Sequence, residues 1–479
     1  MTDIALDTAS AGTTPLPLRG LWWRPEDPEN RIGGTLEIIH GRGGSLELDG
    51  GFLGEAAPAQ PVIIHGNSAG KAVTIGEAQY RGRSVSRDTK SGEETITRES
   101  WTCFEIFTGF HAALGSKQRF DTFSLQTANL GLWVNKPRPE SSYGDDGSIV
   151  LKVEIPQAVS AEVPELGTLT IWWSESSSFG GQSAQIRVVP TFELRSFEPM
   201  TNDEAWARLV TPVLLFTTFV LGSPDRLTSL KGFVGDLNQP DGLQNADFFL
   251  TAWADAAPKP RARWVGEHLL QFSEVEQRFD EVIPAWFQLV SASRESFLDF
   301  FARSITPFLY AEEEFSRIVR AMESWHRAAV GGTHMSETEF QEVLKNIEMA
   351  LSEEQWKFIE MRLRHANERT LKQRLDALLA DAGEPVAPLV ASYKSFNRKV
   401  VNTRNKLAHE GAIGEDFSEI ELFWATKTLA HIFQSVLLRR LGFPPDEVKR
   451  FELRSADWRW LSSPGNPLAD WSKYTPPVS

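Results

Sequence analysis

The sequence is poor in cysteine, and this scarcity excludes several kinds of site. Cys103 is the only cysteine among 479 residues. No disulfide can therefore form within the chain, and no zinc site built on cysteines is possible. A chain without disulfides is typical of a reducing compartment, so we expect a cytoplasmic protein.

Long hydrophobic runs are also scarce. Residues 1–14 lack the basic start and the apolar core of a signal peptide. The most apolar run, Leu209–Leu221, has 13 residues and contains Pro212. A membrane-spanning helix needs roughly 20 residues. We predict that this run forms a buried helix, and we expect no membrane partner.

Positive charge is scarce overall but concentrated in one stretch. The net charge of −15 disfavours broad nucleic-acid binding, because contacts to phosphate need Lys and Arg. Residues 357–409 nevertheless contain eleven Lys or Arg against five Asp or Glu, a local net charge of +6. These residues could guide RNA, or they could form an ordinary solvated helix face. They include Arg362, Arg364, Arg369, Lys372, Arg374, Arg398 and Lys399.

The chain is too long for one ordinary core, and its pattern changes along its length. In the first two hundred residues apolar and polar side chains alternate, as in residues 34–39, 44–48 and 168–173. Turns rich in Gly and Asp separate these segments, which is typical of strands. The regular spacing of short strands indicates a sandwich or a barrel.

Helical periodicity begins after about Asp280, where glycine becomes rare. The predicted helices cover residues 281–304, 308–329, 337–351, 353–381, 386–409 and 416–441. From Phe443 the chain contains several Pro and Trp residues and is predicted to pack across a domain surface or a partner. We thus predict an α+β multidomain protein. Its parts are a β-rich domain (16–279), a helical bundle (280–442) and a tail (443–479).

The helix predicted over residues 386–409 carries the residues most suited to chemistry. Asn405 and His409 are four residues apart and share a face near its end, where the helix dipole favours a protonated imidazole. Arg404 and His409 lie about 140° apart around the axis and about 7.5 Å apart along it. A long arginine could reach round, or two such helices could meet in a symmetric dimer. The helix also carries an apolar stripe of Leu389, Tyr393, Phe396, Val400, Thr403 and Leu407, and Arg404 lies beside this stripe, one residue after Thr403.

An arginine and a histidine together suit RNA cleavage without a metal. The 2′-OH of a ribose can attack the neighbouring phosphorus if a group that titrates near neutral pH moves the proton. His409 would supply that group, and Arg404 would orient and neutralise the phosphate. Asn405 would hold either side chain in place. This spacing also occurs by chance, as a surface arginine and a helix-capping histidine.

The segment Arg404-Asn405-Lys406-Leu407-Ala408-His409 resembles the Arg-x(4–6)-His motif of HEPN ribonucleases, including the polar residue after the Arg. Residues 321–327 resemble the upstream helix of the ApeA-type HEPN domain, in which an acidic residue precedes a His-Arg pair. The N-terminal part resembles the ApeA N-terminal domain. This last resemblance is carried by Arg19-Gly20-Leu21-Trp22-Trp23-Arg24-Pro25-Glu26, Gly34-Thr35-Leu36, Gly50-Gly51-Phe52, Trp101-Thr102-Cys103-Phe104 and Leu132-Trp133.

The resemblance implies an anti-phage abortive-infection protein. Its helical half would be a metal-independent endoribonuclease without a cofactor, acting on host or phage RNA, with tRNA as one candidate substrate. Its β-rich half would sense a phage-derived trigger or restrain the nuclease. The residues it assigns to catalysis are Arg404, Asn405, His409, Glu323, His326 and Arg327. From spacing alone, Glu323 and Arg327 could equally be an exposed ion pair on a helix.

Two other functions stay open from the sequence. The helical part could bind RNA or a partner protein without cleaving anything. The β-rich part contains many Trp residues and could be an enzyme such as a glycan-active sandwich, although no spaced pair of carboxylates stands out. We expect a homodimer through the helices of the bundle, because the geometry of Arg404 and His409 favours a site built from two copies.

Overall fold

The structure is a computed structural model, and two compact units make it up, Met1–Pro284 and Ala285–Ser479. The division lies close to the change of pattern seen in the sequence near Asp280. The structure describes residues 17–39, 43–52, 58–87, 94–137, 139–180, 183–235, 242–249, 265–306, 309–390, 393–410, 416–463 and 465–469.

The first unit is built on antiparallel strands. The described strands are β1 (Pro17–Arg24), β2 (Asp27–Ile39), β3 (Gly43–Leu48), β4 (Val62–Ser68), β5 (Lys71–Arg87), β6 (Glu94–Thr108), β7 (Phe120–Thr127), β8 (Glu140–Tyr143), β9 (Ile149–Lys152), β10 (Val159–Val163), β11 (Gly167–Gly180), β12 (Ser183–Met200), β13 (Leu227–Val234) and β14 (Gln244–Phe248). The helices of this part are α1 (Leu130–Val134), α2 (Asn202–Ala205), α3 (Thr211–Leu221) and α4 (Phe272–Glu276).

Six of the described strands close into a barrel. Their order is β6-β3-β2-β1-β4-β5, and β5 pairs again with β6, so this part of the sheet has no free edge. Trp22, Leu36 and Trp101 are fully buried in its core. The Trp22 ring lies across β4, where a Cβ on Gly66 would come within 2.3 Å of it. The β-rich region predicted as a sandwich or barrel therefore contains a barrel.

The sheet continues from β6 through β14, β13, β7, β12 and β11 to β10. The residues of α3 are buried from Thr211 to Leu221, so the helix predicted from the apolar run is confirmed as a core helix. Among the described residues, the helical segment Asn202–Leu221 is long and apolar enough to cross a membrane by length and composition. However, 78% of its apolar window is buried within the fold.

The second unit is a bundle of helices, which confirms the predicted fold class. The described helices that follow α4 are α5 (Phe279–Ala292), α6 (Arg294–Ile305), α7 (Ala311–Ala329), α8 (Glu337–Ala350), α9 (Glu353–Leu363), α10 (Leu371–Ala382), α11 (Tyr393–Glu410), α12 (Glu419–Arg440), α13 (Pro445–Arg454) and α14 (Ala456–Leu461). Helix α12 is central, because α7, α10, α13 and α14 all pack on it. Even polar residues of α12, such as Thr428 and Ser435, are fully buried.

The prediction of one helix over residues 353–381 was wrong, because α9 ends at Leu363 and α10 begins at Leu371. Thr370 starts the new helix through a reciprocal capping box with Gln373. The loop before it is held by Asn367, whose amide exchanges two hydrogen bonds of 3.0 Å with the backbone of Met335. The helix predicted over residues 281–304 is likewise divided, with Ser293 between α5 and α6.

The segment after Phe443 folds into α13 and α14. Phe451 and Leu461 are buried, and the Trp460 ring stacks on Trp424 with centroids 4.5 Å apart. This segment therefore adds to the core of the second unit, at least to residue 461. Residues 470–479 lie outside the described residues.

Candidate active site

Helix α11 carries the Arg404–His409 segment to the surface of the second unit. Phe396, Val400 and Thr403 on its opposite side are buried, as the apolar stripe predicted. The side chain of Arg404 is 39% exposed, and His409 is exposed in the last turn. The core thus fixes the helix while its other side offers an arginine and a histidine to solvent.

The Arg404 guanidinium is fixed by two neighbours. Its Nη2 donates to Oε2 of Glu323 on α7 at 3.3 Å, and its Nη1 donates to Oδ1 of Asn405 at 3.2 Å. A guanidinium has five N–H donors. Two contacts therefore orient the group and leave donors for a further anion. Residues from the two segments singled out in the sequence, α7 and α11, meet at this point.

Glu323 begins a chain of alternating charges. Its Oε1 pairs with Arg327 at 3.3 Å, which in turn pairs with Glu368 at 3.4 Å. The same oxygen of Glu368 lies 3.7 Å from Arg374. Nδ1 of His365 donates to Oε1 of Glu368 at 2.8 Å. Its hydrogen bond to His365 and then Arg327 lower the pKa of Glu368, so this carboxylate stays ionised and links the two arginines.

Arg374 and His326 form the buried end of this chain. Each is 1% exposed, and Nη1 of Arg374 lies 3.3 Å from Nδ1 of His326. A guanidinium only donates, so Nδ1 must accept and the proton sits on Nε2. Burial, followed by the charges of Arg374, Arg369 and Arg440, lowers the pKa of His326 to about 4. This histidine is therefore neutral near pH 7 and has no access to a substrate phosphate.

The position of Arg374 corrects one expectation from the sequence. The sequence places Arg374 among the basic residues that could guide RNA on a surface. In the structure this side chain is buried, and its guanidinium donates to the carbonyl oxygens of Arg369 and Gly331 at 3.1 and 3.4 Å. Other members of the stretch are partly exposed but are neutralised by nearby carboxylates. Lys372 pairs with Asp376 at 2.7 Å, and Lys399 approaches Glu421 at 3.8 Å. The basic stretch is therefore not one continuous surface.

His409 differs from His326 in its surroundings. It is exposed, and within the described residues its ring makes no hydrogen bond and no ion pair. Asn405 is exposed on the same side of the helix, one turn earlier. The glycine that follows the motif, Gly411, lies outside the described residues. An exposed imidazole without an internal partner is available to a ligand.

The site shows no sign of a built metal centre in the part of the chain that the structure describes. No three His, Cys, Asp or Glu side chains are grouped there as metal ligands would be. Glu323 and Glu368 are instead paired with arginines. The chemistry available from the described residues is that of an oriented cation and an exposed imidazole at the same end of α11.

Two family models match the chain. The model described as ApeA N-terminal domain 1 matches residues 17–286, and the model described as Apea-like HEPN matches residues 317–447. The chain belongs to the ApeA family. These two domains give the architecture of an anti-phage HEPN effector, as the resemblance in the sequence implied. None of the curated proteins and none of the solved structures compared with the chain matches it.

Every residue of the charge chain lies inside the HEPN match of this ApeA protein. Sequence reasoning found Glu323, Arg327 and Arg404 but missed Glu368, because the loop that carries it was predicted as helix. The polar run Asn367-Glu368-Arg369-Thr370, followed by Gln373, is the signal that could have revealed the break.

Proposed function

We propose that this ApeA protein is a metal-independent endoribonuclease in which Arg404 binds the scissile phosphate and His409 transfers the proton. The observation that carries the proposal is the half-exposed Arg404, oriented by Glu323 and Asn405, on the same helix end as the exposed His409. The 2′-OH attacks the adjacent phosphorus, and the 5′-oxygen leaves. His409 takes the proton of the 2′-OH as base or gives a proton to the leaving 5′-oxygen as acid, and water exchanges the other proton.

Arg404 stabilises the negative charge that develops on the phosphate during this step. Three of its five N–H donors are left by the contacts to Glu323 and Asn405. Arginine is suited to this role because its planar group meets two phosphate oxygens at once. Glu323 and Asn405 act as positioning residues, since they touch Arg404 and not the reacting atoms.

Arg327 and His326 have different places in the proposal. Arg327 is 57% exposed and shares Glu323 with Arg404, so it can add a second positive charge near the phosphate. His326 is buried against Arg374. We assign it to positioning the α7 end of the charge chain and not to proton transfer.

A homodimer would complete the site. Arg404 and His409 are about 140° apart around α11 and about 7.5 Å apart along it, so one helix does not direct both at the same phosphate. Two copies of α11 related by a two-fold axis would place the Arg404 of each copy near the His409 of the other. A strictly monomeric protein with full activity would contradict this part of the proposal.

The family supports a cellular role in anti-phage defence. We propose a cytoplasmic abortive-infection effector whose β-rich unit responds to a phage-derived trigger and restrains the nuclease until then. Its substrate is host or phage RNA, with tRNA as one candidate. The architecture of an anti-phage HEPN effector supports this role.

The test is cleavage of cellular RNA after induction during phage infection, read by sequencing new 5′ ends. We expect His409→Ala and Arg404→Ala to lower cleavage at least about 100-fold. Matched controls are His334→Ala and Arg320→Ala, an exposed histidine and an exposed arginine outside the motif. They should cleave like the wild type, and added chelator should have no effect on the purified protein.

Two outcomes would reject the assignment. Cleavage that survives both motif substitutions would place the active centre elsewhere. RNA binding without any cleavage under infection would favour a non-catalytic RNA-binding module instead.

A further inference from the structure

Helices α8 and α9 form a hairpin that the rest of the second unit hardly covers. Residues 337–363 are all described, and among them Phe340 alone is buried. Large apolar side chains lie on the surface instead, with Phe358 67% and Met361 81% exposed and with Val343 and Met349 also exposed. Single exposed apolar residues are ordinary and these four do not share one face, so the surface available to another molecule is the cleft that both helices line.

A cleft of about 790 Å³ lies along this hairpin. Phe340 and Trp356 supply its aromatic lining. Its charged lining has more carboxylates than cations, with Glu337, Glu348, Glu360, Glu368, Lys345 and Arg364. Within the described residues, Glu348 and Glu360 make no ion pair. An aromatic ring beside unpaired carboxylates is a favourable site for a guanidinium or an ammonium group.

The charge of the hairpin restricts what can cover it. Residues 337–363 contain seven Glu and three Lys or Arg, a net charge of −4. RNA is disfavoured because its phosphates would face these carboxylates. A second copy docked through the same face would oppose two surfaces of equal negative charge, which is also unfavourable. The complementary occupant is basic.

We propose that the α8–α9 hairpin is a docking surface for a basic, amphipathic segment of another protein. One Arg or Lys of that segment enters the cleft, over Trp356 and beside Glu348 and Glu360. Its apolar side chains pack on Phe340, Leu344 and Trp356, the apolar residues that line the cleft. A groove with an apolar lining and a charged rim is suited to this kind of helix-in-groove contact.

The cleft is connected to the candidate active site through Glu368, which lines it and also pairs with Arg327 and Arg374. A cation bound beside Glu368 competes with the exposed Arg327 more readily than with the buried Arg374. Arg327 then pairs with Glu323 alone, and Glu323 is the carboxylate that orients Arg404. Docking is therefore expected to change RNA cleavage. This consequence rests on the proposed ribonuclease function, whereas the docking itself does not.

Fluorescence anisotropy on the full-length protein tests the docking. The probe is a labelled amphipathic helical peptide composed of Leu and Arg, compared with a peptide in which Glu replaces every Arg. We expect the double variant Glu348→Gln/Glu360→Gln to weaken binding of the Leu/Arg peptide about tenfold, as for the loss of about 1.4 kcal/mol. The matched double variant Glu342→Gln/Glu354→Gln removes the same charge from the hairpin outside the cleft and should retain wild-type affinity within about twofold.

Several results would overturn the proposal. Equal weakening by both double variants would show attraction to overall charge and not to the cleft. If the Leu/Glu peptide bound as tightly as the Leu/Arg peptide, the attraction between the acidic cleft and a basic partner would not explain binding. Displacement of the peptide by spermidine at similar concentration would assign the cleft to a small polyamine, and displacement by an oligoribonucleotide would assign it to RNA.

RNA cleavage with and without the peptide provides the second readout. A changed rate in the wild type, absent in Glu348→Gln/Glu360→Gln, supports the link through Glu368. Binding through the cleft with an unchanged rate would reject that link. Absence of cleavage under every condition would reject the ribonuclease function, while anisotropy would still report on docking.

Discussion

Two arginine–histidine pairs lie at opposite ends of one chain of charges, and they differ in access to solvent. Arg404 and His409 are open at the end of α11, whereas Arg374 and His326 are 1% exposed. The residue types are the same, so burial separates their roles. The open arginine can accept a phosphate while keeping its internal partners. The buried arginine cannot give up its hydrogen bonds to the neighbouring loops unless that region unfolds locally.

The largest effect is expected from removing the buried arginine. Arg374→Ala leaves Glu368 short of a partner and leaves two carbonyl oxygens and His326 without their donor. We expect the free energy of unfolding to fall by about 3–5 kcal/mol, the usual cost of breaking a buried ionic group. Urea unfolding of the full chain at pH 7, followed on the helical signal, measures it.

Two other arginines sharpen this comparison. Arg327→Ala removes an exposed partner of both Glu368 and Glu323, and Arg404→Ala removes the half-exposed second partner of Glu323. Each should change the free energy of unfolding by less than about 1 kcal/mol, because solvent screens exposed pairs. Equal losses for Arg374→Ala and Arg327→Ala would mean that burial does not distinguish the two ends.

The same contrast shows what the sequence could reveal. Helical periodicity predicted the buried face of α11 correctly from Phe396 to Thr403, because apolar residues at spacings of three and four lie on one face of a helix and that face packs on the core. The predicted start at residue 386 was wrong, because Leu389 of the same stripe ends a separate 3-10 helix and α11 begins at Tyr393. The burial of Arg374 could not be predicted. It depends on Gly331, Glu368 and Arg369, which reach it from loops that are not fixed by periodicity. The pairing of Arg404 with Glu323 also depends on how α7 packs beside α11, which local sequence does not encode.

The strands of the first unit could also be predicted from the sequence, but their pairing could not. Alternation in residues 34–39 and 44–48 located strands β2 and β3, and these strands lie in the closed barrel. Whether strands form a sandwich or a barrel depends on which distant strands pair. The contact of β5 with β6 decides that here. The glycine at position 66 becomes informative only when the Trp22 ring beside it is known.

A second, smaller effect concerns pH. His326 has an ordinary pKa of 6.5 when unfolded and about 4 when folded, so the folded state binds fewer protons between these values. Protonation of His326 therefore favours the unfolded state. The free energy of unfolding keeps its full value above pH 6.5 and decreases as the pH falls from 6.5 toward about 4. The loss is on the order of 3 kcal/mol, from about 1.4 kcal/mol for each pKa unit.

Urea unfolding at a series of pH values from 7 to 4 tests this contribution. His326→Gln cannot take up the proton and should flatten the decline relative to the wild type, whatever its stability at pH 7. His409→Gln changes the exposed histidine and should keep the wild-type slope. If His409→Gln flattened the decline in stability with falling pH and His326→Gln did not, the assignment of the buried and the open histidine would be reversed.

The smallest effect is expected at the carboxylate between the two open arginines. Glu323→Gln keeps an oxygen that can accept from Arg404 but removes the charge that Arg404 and Arg327 share. Stability should change by less than about 1 kcal/mol, because both arginines are partly exposed and solvent screens their pairs with Glu323. If Glu323 orients Arg404 for the phosphate, kcat should fall about tenfold with little change in KM, as expected when an interaction that matters in the transition state is weakened. A rise in cleavage would instead mean that Glu323 competes with the phosphate for Arg404. The open end of the charge chain would then be a restraint on the nuclease and not a support for it.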